Sequence, residues 1–301
     1  MELIILGCHA ATPRKKAQTT SQLLDLKGHL ILIDCGEGTQ IQLRKLGIKF
    51  ARIRHIFISH LHGDHFYGLI GLISTFRLLG REAELHIYGP QGIREIITLQ
   101  LKLAKSWTDY PLHFHELDAP YSVVVFEDDK IKVSTVPLDH RVYTNGYLFE
   151  EKTGLRKVNL QSAKTYGVEV CDMENLKAGK DFVDSIGKLI PNKSLTFDPE
   201  LPKSYAFCSD TAYKEDIVTL IKNVTFLYHE STFLENHMDL AIKTKHSTAA
   251  QAGKIAAMAN AKGLILGHYS SRYSNLNSFL EEAKEYFENV HLAEDGKSFK
   301  I

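Results

Sequence analysis

The chain has 301 residues, 44% of them hydrophobic, an ordinary share for a folded globular protein. Its 36 basic and 36 acidic side chains cancel, so overall charge signals no nucleic-acid partner, which would need a local basic patch. No apolar run approaches the roughly 20 residues of a membrane span. The four cysteines (Cys8, Cys35, Cys171, Cys208) contain no Cys-x-x-Cys pair, which argues against a disulfide framework or a zinc knuckle.

The N-terminus, Met1 to Gly7, has only a short apolar run and no basic leader, so it reads as a first strand. The expected location is the cytoplasm. Gly7 to Thr20 is a polar loop carrying Arg14-Lys15-Lys16. The runs Gln22–Leu26 and His29–Ile33, joined at Lys27-Gly28, read as a hairpin. A helix is expected over Thr39–Leu46, a strand over Arg54–Ser59, and a buried helix over Phe66–Leu79, where apolar residues recur at helical spacing. Leu85–Tyr88 is a strand and Ile93–Ala104 a helix. Strands follow near Leu112–His115, Tyr121–Phe126, Lys130–Val136 and Asn145–Phe149. After a break, Ser204–Cys208, Val224–Tyr228 and Gly263–Leu266 read as strands. Helices are expected over Tyr213–Ile221, Ser247–Asn260 and Asn277–Glu288, the second capped by Ser247 or Thr248. Two sheets covered by helices fit this order. From Glu150 to about Lys203 periodicity is weak and charge density high, which marks an inserted segment within a single domain spanning 1–301.

The chemistry concentrates in Ser59-His60-Leu61-His62-Gly63-Asp64-His65, directly after Ile56-Phe57-Ile58. Three imidazoles and a carboxylate in six positions suit a divalent metal of the zinc kind. His60 and His62 point the same way on extended backbone. Asp64 and His65 lie past the turn at Gly63 and can serve a second metal. Two metals need more ligands, and these should sit where strands hand side chains to loops. His140, Asp210 and His268 each follow an apolar run. A carboxylate has two oxygens, so Asp210 is the expected bridge between His60, His62 and His140 on one side and Asp64, His65 and His268 on the other. Such pairs typically sit ~3.5–4 Å apart and activate a shared water. Manganese or iron would suit the same donors as zinc. Glu230 and His246 also follow or precede ordered runs; a glutamate bonded to a histidine fixes its tautomer and lets it donate a proton to a leaving alkoxide. Asp34, at the end of a strand, is a candidate support for the cluster. Arg272 and the basic loop at Arg14 are candidates to hold phosphate. His9, His29, His55, His86, His113, His115, His237 and His291 have no companion feature and read as structural.

This ordered set, His60-x-His62-x-Asp64-His65 with His140, Asp210 and His268, resembles the metallo-β-lactamase superfamily. Ile33-Asp34-Cys35-Gly36-Glu37-Gly38-Thr39-Gln40, His229-Glu230-Ser231-Thr232, His246-Ser247-Thr248-Ala249 and His268-Tyr269-Ser270-Ser271-Arg272-Tyr273 are similar, within that superfamily, to the ribonuclease Z family. The resemblance covers nearly the whole chain. It implies a four-layer αββα sandwich with two zinc ions per subunit at one edge of the sheets. It also implies an endoribonuclease acting on precursor tRNA, leaving a tRNA 3′-hydroxyl and a trailer with a 5′-phosphate. In that reading Asp64 orients or deprotonates the attacking water, and His246, backed by Glu230, protonates the leaving 3′ oxygen. A homodimer is expected, with the 150–203 segment of one subunit as an arm on the tRNA bound to the other; no membrane and no DNA partner are expected. Many members of that family carry a Gly-Pro motif in the arm, and this segment has none before Ile190-Pro191. The competing reading is a small-substrate phosphodiesterase of the same fold, acting on a cyclic nucleotide or another diester.

Overall fold

A computed structural model describes residues 1–15 and 17–301, and the Lys16 part of the basic loop lies outside the described residues. In chain order the first strands are β1 (Glu2–Gly7), β2 (Ser21–Leu26), β3 (His29–Ile33), β4 (Ile53–Phe57), β5 (Leu85–Pro90) and β6 (Leu112–Leu117). Next come β7 (Val124–Glu127), β8 (Ile131–Pro137) and β9 (Asn145–Glu151), then the short β10 (Lys157–Val158), β11 (Phe182–Val183), β12 (Leu189–Ile190) and β13 (Thr196–Phe197). The chain closes with β14 (Ser204–Cys208), β15 (Phe226–Glu230), β16 (Leu264–Gly267), β17 (Val290–Leu292) and β18 (Ser298–Lys300).

One seven-stranded sheet has the order β18-β1-β2-β3-β4-β5-β6 and the other β17-β16-β15-β14-β9-β8-β7. The expected β2–β3 hairpin forms: Lys27 and Gly28 both adopt positive φ (51° and 90°), the turn whose twist matches its flanking strands. Strand alternation then sorts the side chains. Ile31, Ile33, Phe57 and Tyr88 face Tyr147, Phe149, Tyr205 and Phe207 of the opposite sheet. Phe57 sits edge-on to Tyr147 and Phe149, with ring centroids 5.2 and 5.4 Å away. The intervening Leu30, Leu32, Ile56, Ile58 and Ile87 turn outward onto Leu69, Leu72, Ile73 and Phe76 of the helix Gly68–Leu78 and onto Ile97 and Leu101 of the helix Ile93–Leu103. Helices Ala249–Met258 and Asn277–Lys284 cover the other sheet. The layers run helix, sheet, sheet, helix, with each fully buried large side chain worth about 1.5–3 kcal/mol.

Where the structure departs from the sequence reading, local hydrogen bonds explain it. Tyr213–Ile221 is no α-helix but a 3₁₀ segment, Glu215–Thr219, whose amides reach back three residues. The strand expected from Tyr121 begins at Val124, because the Val123 amide donates to the Thr135 hydroxyl and the ladder shifts register there. A helix at Met238–Thr244 has no counterpart in the sequence reading.

The chain divides into two compact units. Both large sheets belong to the first, Met1–Glu127, Ile131–Glu150 and Lys203–Ile301. The second, Asp128–Lys130 with Glu151–Pro202, holds the ribbons β10–β13 and β11–β12 and three short helices, Leu160–Thr165, Met173–Lys177 and Asn192–Leu195. It has its own small core of Leu176, Ile190 and Leu195, and the buried Asn192 amide donates to the Leu176 and Lys180 carbonyls. Among the described residues no helix is long and apolar enough to cross a membrane.

Candidate active site

β14, β15 and β16 run parallel, so their C-terminal ends meet along one edge of their sheet. Asp210, Glu230 and His268 lie at or just past those ends, and His140 follows β8. In the other sheet β3 and β4 are parallel and end at Asp34 and at the Ser59–His65 run. Asp34, Asp210 and His268 all take left-handed backbone (φ 54°, 61° and 60°), which turns each chain sharply as it leaves its strand.

Asp34 is fully buried and organises the histidine run. Its Oδ1 accepts the Ser59 amide (2.7 Å), and its Oδ2 accepts the Ser59 hydroxyl (2.9 Å) and His65 Nδ1 (2.7 Å). Burial raises the Asp34 carboxyl above its usual range, against the opposing pull of His65 and Ser59. With Nδ1 donating to a carboxylate, His65 turns Nε2 inward, 3.2 Å from Asp210 Oδ1 and 3.5 Å from Asp64 Oδ2. His140 Nδ1 donates to the Lys245 carbonyl at 2.9 Å, which likewise leaves its Nε2 as a lone-pair atom. His268 Nδ1 bonds the Thr232 hydroxyl at 2.8 Å, and its Nε2 lies 3.2 Å from Asp210 Oδ1.

The donor atoms form two groups, each within 4.8 Å: His60, His62, His140 and Asp210, and Asp64, His65 and His268. Asp210 spans them. Its Oδ2 faces His60 Nε2 (3.7 Å) and His140 Nε2 (3.8 Å), while its Oδ1 faces His65 and His268. Burial alone would raise this carboxyl, but the imidazoles of His268, His65 and His60 together hold it well below its usual range. Asp64 is also depressed: burial raises it, and His65 and His268 outweigh that. His65 Nε2 and His268 Nε2 are buried without a hydrogen-bond partner among the described residues. Buried imidazole Nε2 atoms converging on two ionised carboxylates offer a donor set that zinc-class cations can occupy in place of protons, so the residues fit a two-metal centre.

Beside it lies a dyad. His246 Nδ1 meets Glu230 Oε1 at 2.7 Å. Glu230 is fully buried and its remaining capacity is filled by the Thr211 amide (2.9 Å), the Thr232 amide (3.0 Å) and the Thr232 hydroxyl (2.6 Å). Burial lowers the His246 imidazole, but Glu230 more than offsets it and pushes it up to about 9. Thr248 caps the following helix through a capping box with Gln251, which fixes where His246 emerges. The cluster and dyad open into a cavity of about 510 Å³, lined in part by His62, Asp64, Arg141, His246, His268, Tyr67 and Phe233.

All nine expected site residues therefore converge. Arg272 instead bonds the Ser270 hydroxyl and lies over the Phe233 ring, and Arg14 contacts His9. Three groups escaped the sequence reading. Thr232 ties Glu230 to His268, the Lys245 carbonyl orients His140, and Arg141 lines the cavity. Only Arg141 had a usable signal, its place directly after His140.

A family model described as Anti-Pycsar protein Apyc1 matches residues 1–285. The chain is similar to a ribonuclease Z from Bacteroides fragilis, 45% identical over 294 residues, covering 98% of this chain and 97% of that one. The chain belongs to the ribonuclease Z family. Another ribonuclease Z, from Cytophaga hutchinsonii, is 42% identical and covers 100% of this chain and 96% of that one. Human tRNase Z, short form, superposes with a TM-score of 0.73 at 27% identity, covering 100% of this chain and 99% of that one. The metallo-β-lactamase fold protein YhfI from Bacillus subtilis, at 18% identity and a TM-score of 0.68, shares the fold. This ribonuclease Z family member is thus a hydrolase of the metallo-β-lactamase fold, and the four-layer sandwich expected from its sequence is the one it adopts.

Proposed function

We propose that the chain is an endoribonuclease that cuts precursor tRNA at its 3′ end, leaving a 3′-hydroxyl on the tRNA and a 5′-phosphate on the trailer. The names of its ribonuclease Z and tRNase Z relatives support the substrate. The observation that carries the reaction is the Glu230–His246 dyad, closed to 2.7 Å beside the two-group ligand cluster and lining the same cavity as Asp64.

His60, His62, His140 and Asp210 would hold one zinc ion, and Asp64, His65, His268 and Asp210 the other. When bound, the pair supplies Lewis acidity for water activation and neutralises charge on the phosphate. The remaining steps belong to side chains. Asp64, with one oxygen pinned by the Ala11 amide at 2.8 Å, orients the attacking water and takes its proton. Water adds to phosphorus as the P–O3′ bond breaks. His246, whose Nδ1 is committed to Glu230, gives the proton on Nε2 to the departing 3′ oxygen. Its elevated protonation range keeps that proton in place at neutral pH. Arg141, which lines the same cavity, would neutralise the substrate phosphate. In a cytoplasmic homodimer, the folded 151–202 unit of one copy, which has a small core of its own, serves as the arm that grips tRNA bound to the other.

The test is cleavage of a 3′-extended precursor tRNA, alongside a cyclic nucleotide and bis(p-nitrophenyl) phosphate, with and without a chelator. A chelator-sensitive cut at the tRNA 3′ side is expected. Hydrolysis of the small diesters with no cut in the tRNA would refute the substrate and favour the small-diesterase reading.

A further inference from the structure

A second histidine cluster lies away from the catalytic cavity, where β5 and the edge strand β6 pair in parallel register. His86 stands opposite His113, and Tyr88 opposite His115. Parallel neighbours in register sit one strand spacing apart, ~4.7–4.9 Å, and the His86 and His113 rings stack with centroids at 4.8 Å. Both turn Nε2 toward one carboxylate just before β5: His86 to Glu84 Oε1 and His113 to Glu84 Oε2, each at 3.6 Å. The donor atoms of Glu84, His86 and His113 all lie within 4.8 Å of one another, the same closeness as in each catalytic group.

The separations are informative. At 3.6 Å these are not hydrogen bonds, although the same chain closes a histidine–glutamate pair to 2.7 Å at His246 and Glu230. A tetrahedral ion with ligands at ~2.0–2.2 Å spaces its donor atoms roughly 3.3–3.6 Å apart, which matches both carboxylate–imidazole gaps. The rings are partly exposed (22% for His86, 46% for His113), so an ion could reach them from solvent. His86 has a supporting partner as well: its Nδ1 bonds His115 Nε2 at 3.0 Å, and His115 is held by stacking on Tyr88 with centroids 4.3 Å apart. The tautomer in which Nδ1–H donates to His115 leaves the His86 Nε2 lone pair facing the Glu84 carboxylate, an arrangement that a cation between them would satisfy.

We propose that Glu84, His86 and His113 form a non-catalytic site for one zinc-class divalent cation that ties β5 to the edge strand β6, with His115 as the positioning residue. The test uses the full-length chain freed of metal, dialysed against buffered Zn²⁺, with bound zinc counted per chain. Wild type is expected to bind one ion more than the double variant His86→Gln/His113→Gln. His115→Phe, which keeps the stack on Tyr88, is expected to weaken that same ion by ~10–100-fold and leave the others unchanged. Co²⁺ in place of Zn²⁺ gives a second readout, because the double variant should lose one share of the tetrahedral cobalt absorption. Melting curves in chelator check that every variant folds as wild type does. Equal zinc in wild type and double variant would overturn the site, and unaltered zinc affinity in His115→Phe would overturn the assigned tautomer.

Discussion

Replacing His246 with asparagine isolates proton donation from structure. Truncation to alanine would strand the buried Glu230 carboxylate without its His246 partner, a change that commonly costs 3–5 kcal/mol. Asparagine can still offer an N–H toward Glu230 Oε1, while the Thr211 amide and both Thr232 donors stay in place. What is lost is the acid. A positioned general acid contributes ~10²–10⁴ in rate, or about 2.7–5.4 kcal/mol of barrier. That loss applies in full to a tRNA 3′-alkoxide, which is a poor leaving group without a proton. It barely applies to p-nitrophenolate, which departs unprotonated near neutral pH. The assay is single-turnover cleavage of a precursor tRNA beside hydrolysis of bis(p-nitrophenyl) phosphate by the same preparation. His246→Asn should lose ~10²–10⁴ on the tRNA and less than about tenfold on the small diester. Equal losses on both substrates would show that His246 holds the site together and donates no proton.

Asp34→Asn cannot accept from both Ser59 and His65 Nδ1 with two oxygens, so it should reduce zinc affinity by ~10–100-fold in a chelator competition; an unchanged affinity would remove Asp34 from the support of His65. Gly36→Ala would place its Cβ 2.3 Å from the Asp64 carbonyl oxygen and from the Thr19 hydroxyl, and should destabilise the fold by about 1–3 kcal/mol in urea while lowering activity. Replacing 151–202 with a short Gly/Ser linker should leave bis(p-nitrophenyl) phosphate hydrolysis within about threefold of wild type and raise KM for precursor tRNA by at least about tenfold, or roughly 1.4 kcal/mol. A KM for tRNA that does not move would end the arm's assignment.

The ligands were legible because each sits where an apolar run stops: His60 after Ile56-Phe57-Ile58, His140 after β8, Asp210 after β14 and His268 after β16. A buried strand needs apolar residues, so an imidazole or carboxylate at its end stands out. The strand pairs were legible for the same reason, through alternation that sends Ile31 and Ile33 one way and Leu30 and Leu32 the other. The contacts that orient the ligands were hidden. The Lys245 carbonyl on His140 is a main-chain atom 105 residues away, and no residue type encodes it. Thr232 bonds Glu230 and His268 with one hydroxyl, and an isolated threonine after a strand carries no pattern. In 150–203 the elements run from two to six residues, too short to display a period, although they enclose a core of their own. At Glu215–Thr219 the helical spacing of apolar residues was real, but the backbone took the tighter turn.

The left-handed backbone around the cavity has a thermodynamic consequence. Of the nine non-glycine residues with positive φ among the described residues, Asp34, Asp210, Lys245, His268 and Ala11 all bond or line this site. A left-handed residue with a side chain costs roughly 1–2 kcal/mol, so five of them set aside about 5–10 kcal/mol, as much as the entire margin that keeps many domains folded. Ala11 serves through its main-chain amide, so glycine there would release strain without removing a donor, whereas at Lys245 it would also remove the ammonium that pairs with Asp139 at 2.7 Å. Asp34, Asp210 and His268 have no such freedom, since the side chain that strains the turn is the one the site uses. Ions held by these side chains would therefore act on the whole fold as stabilising ligands, offsetting part of that strain.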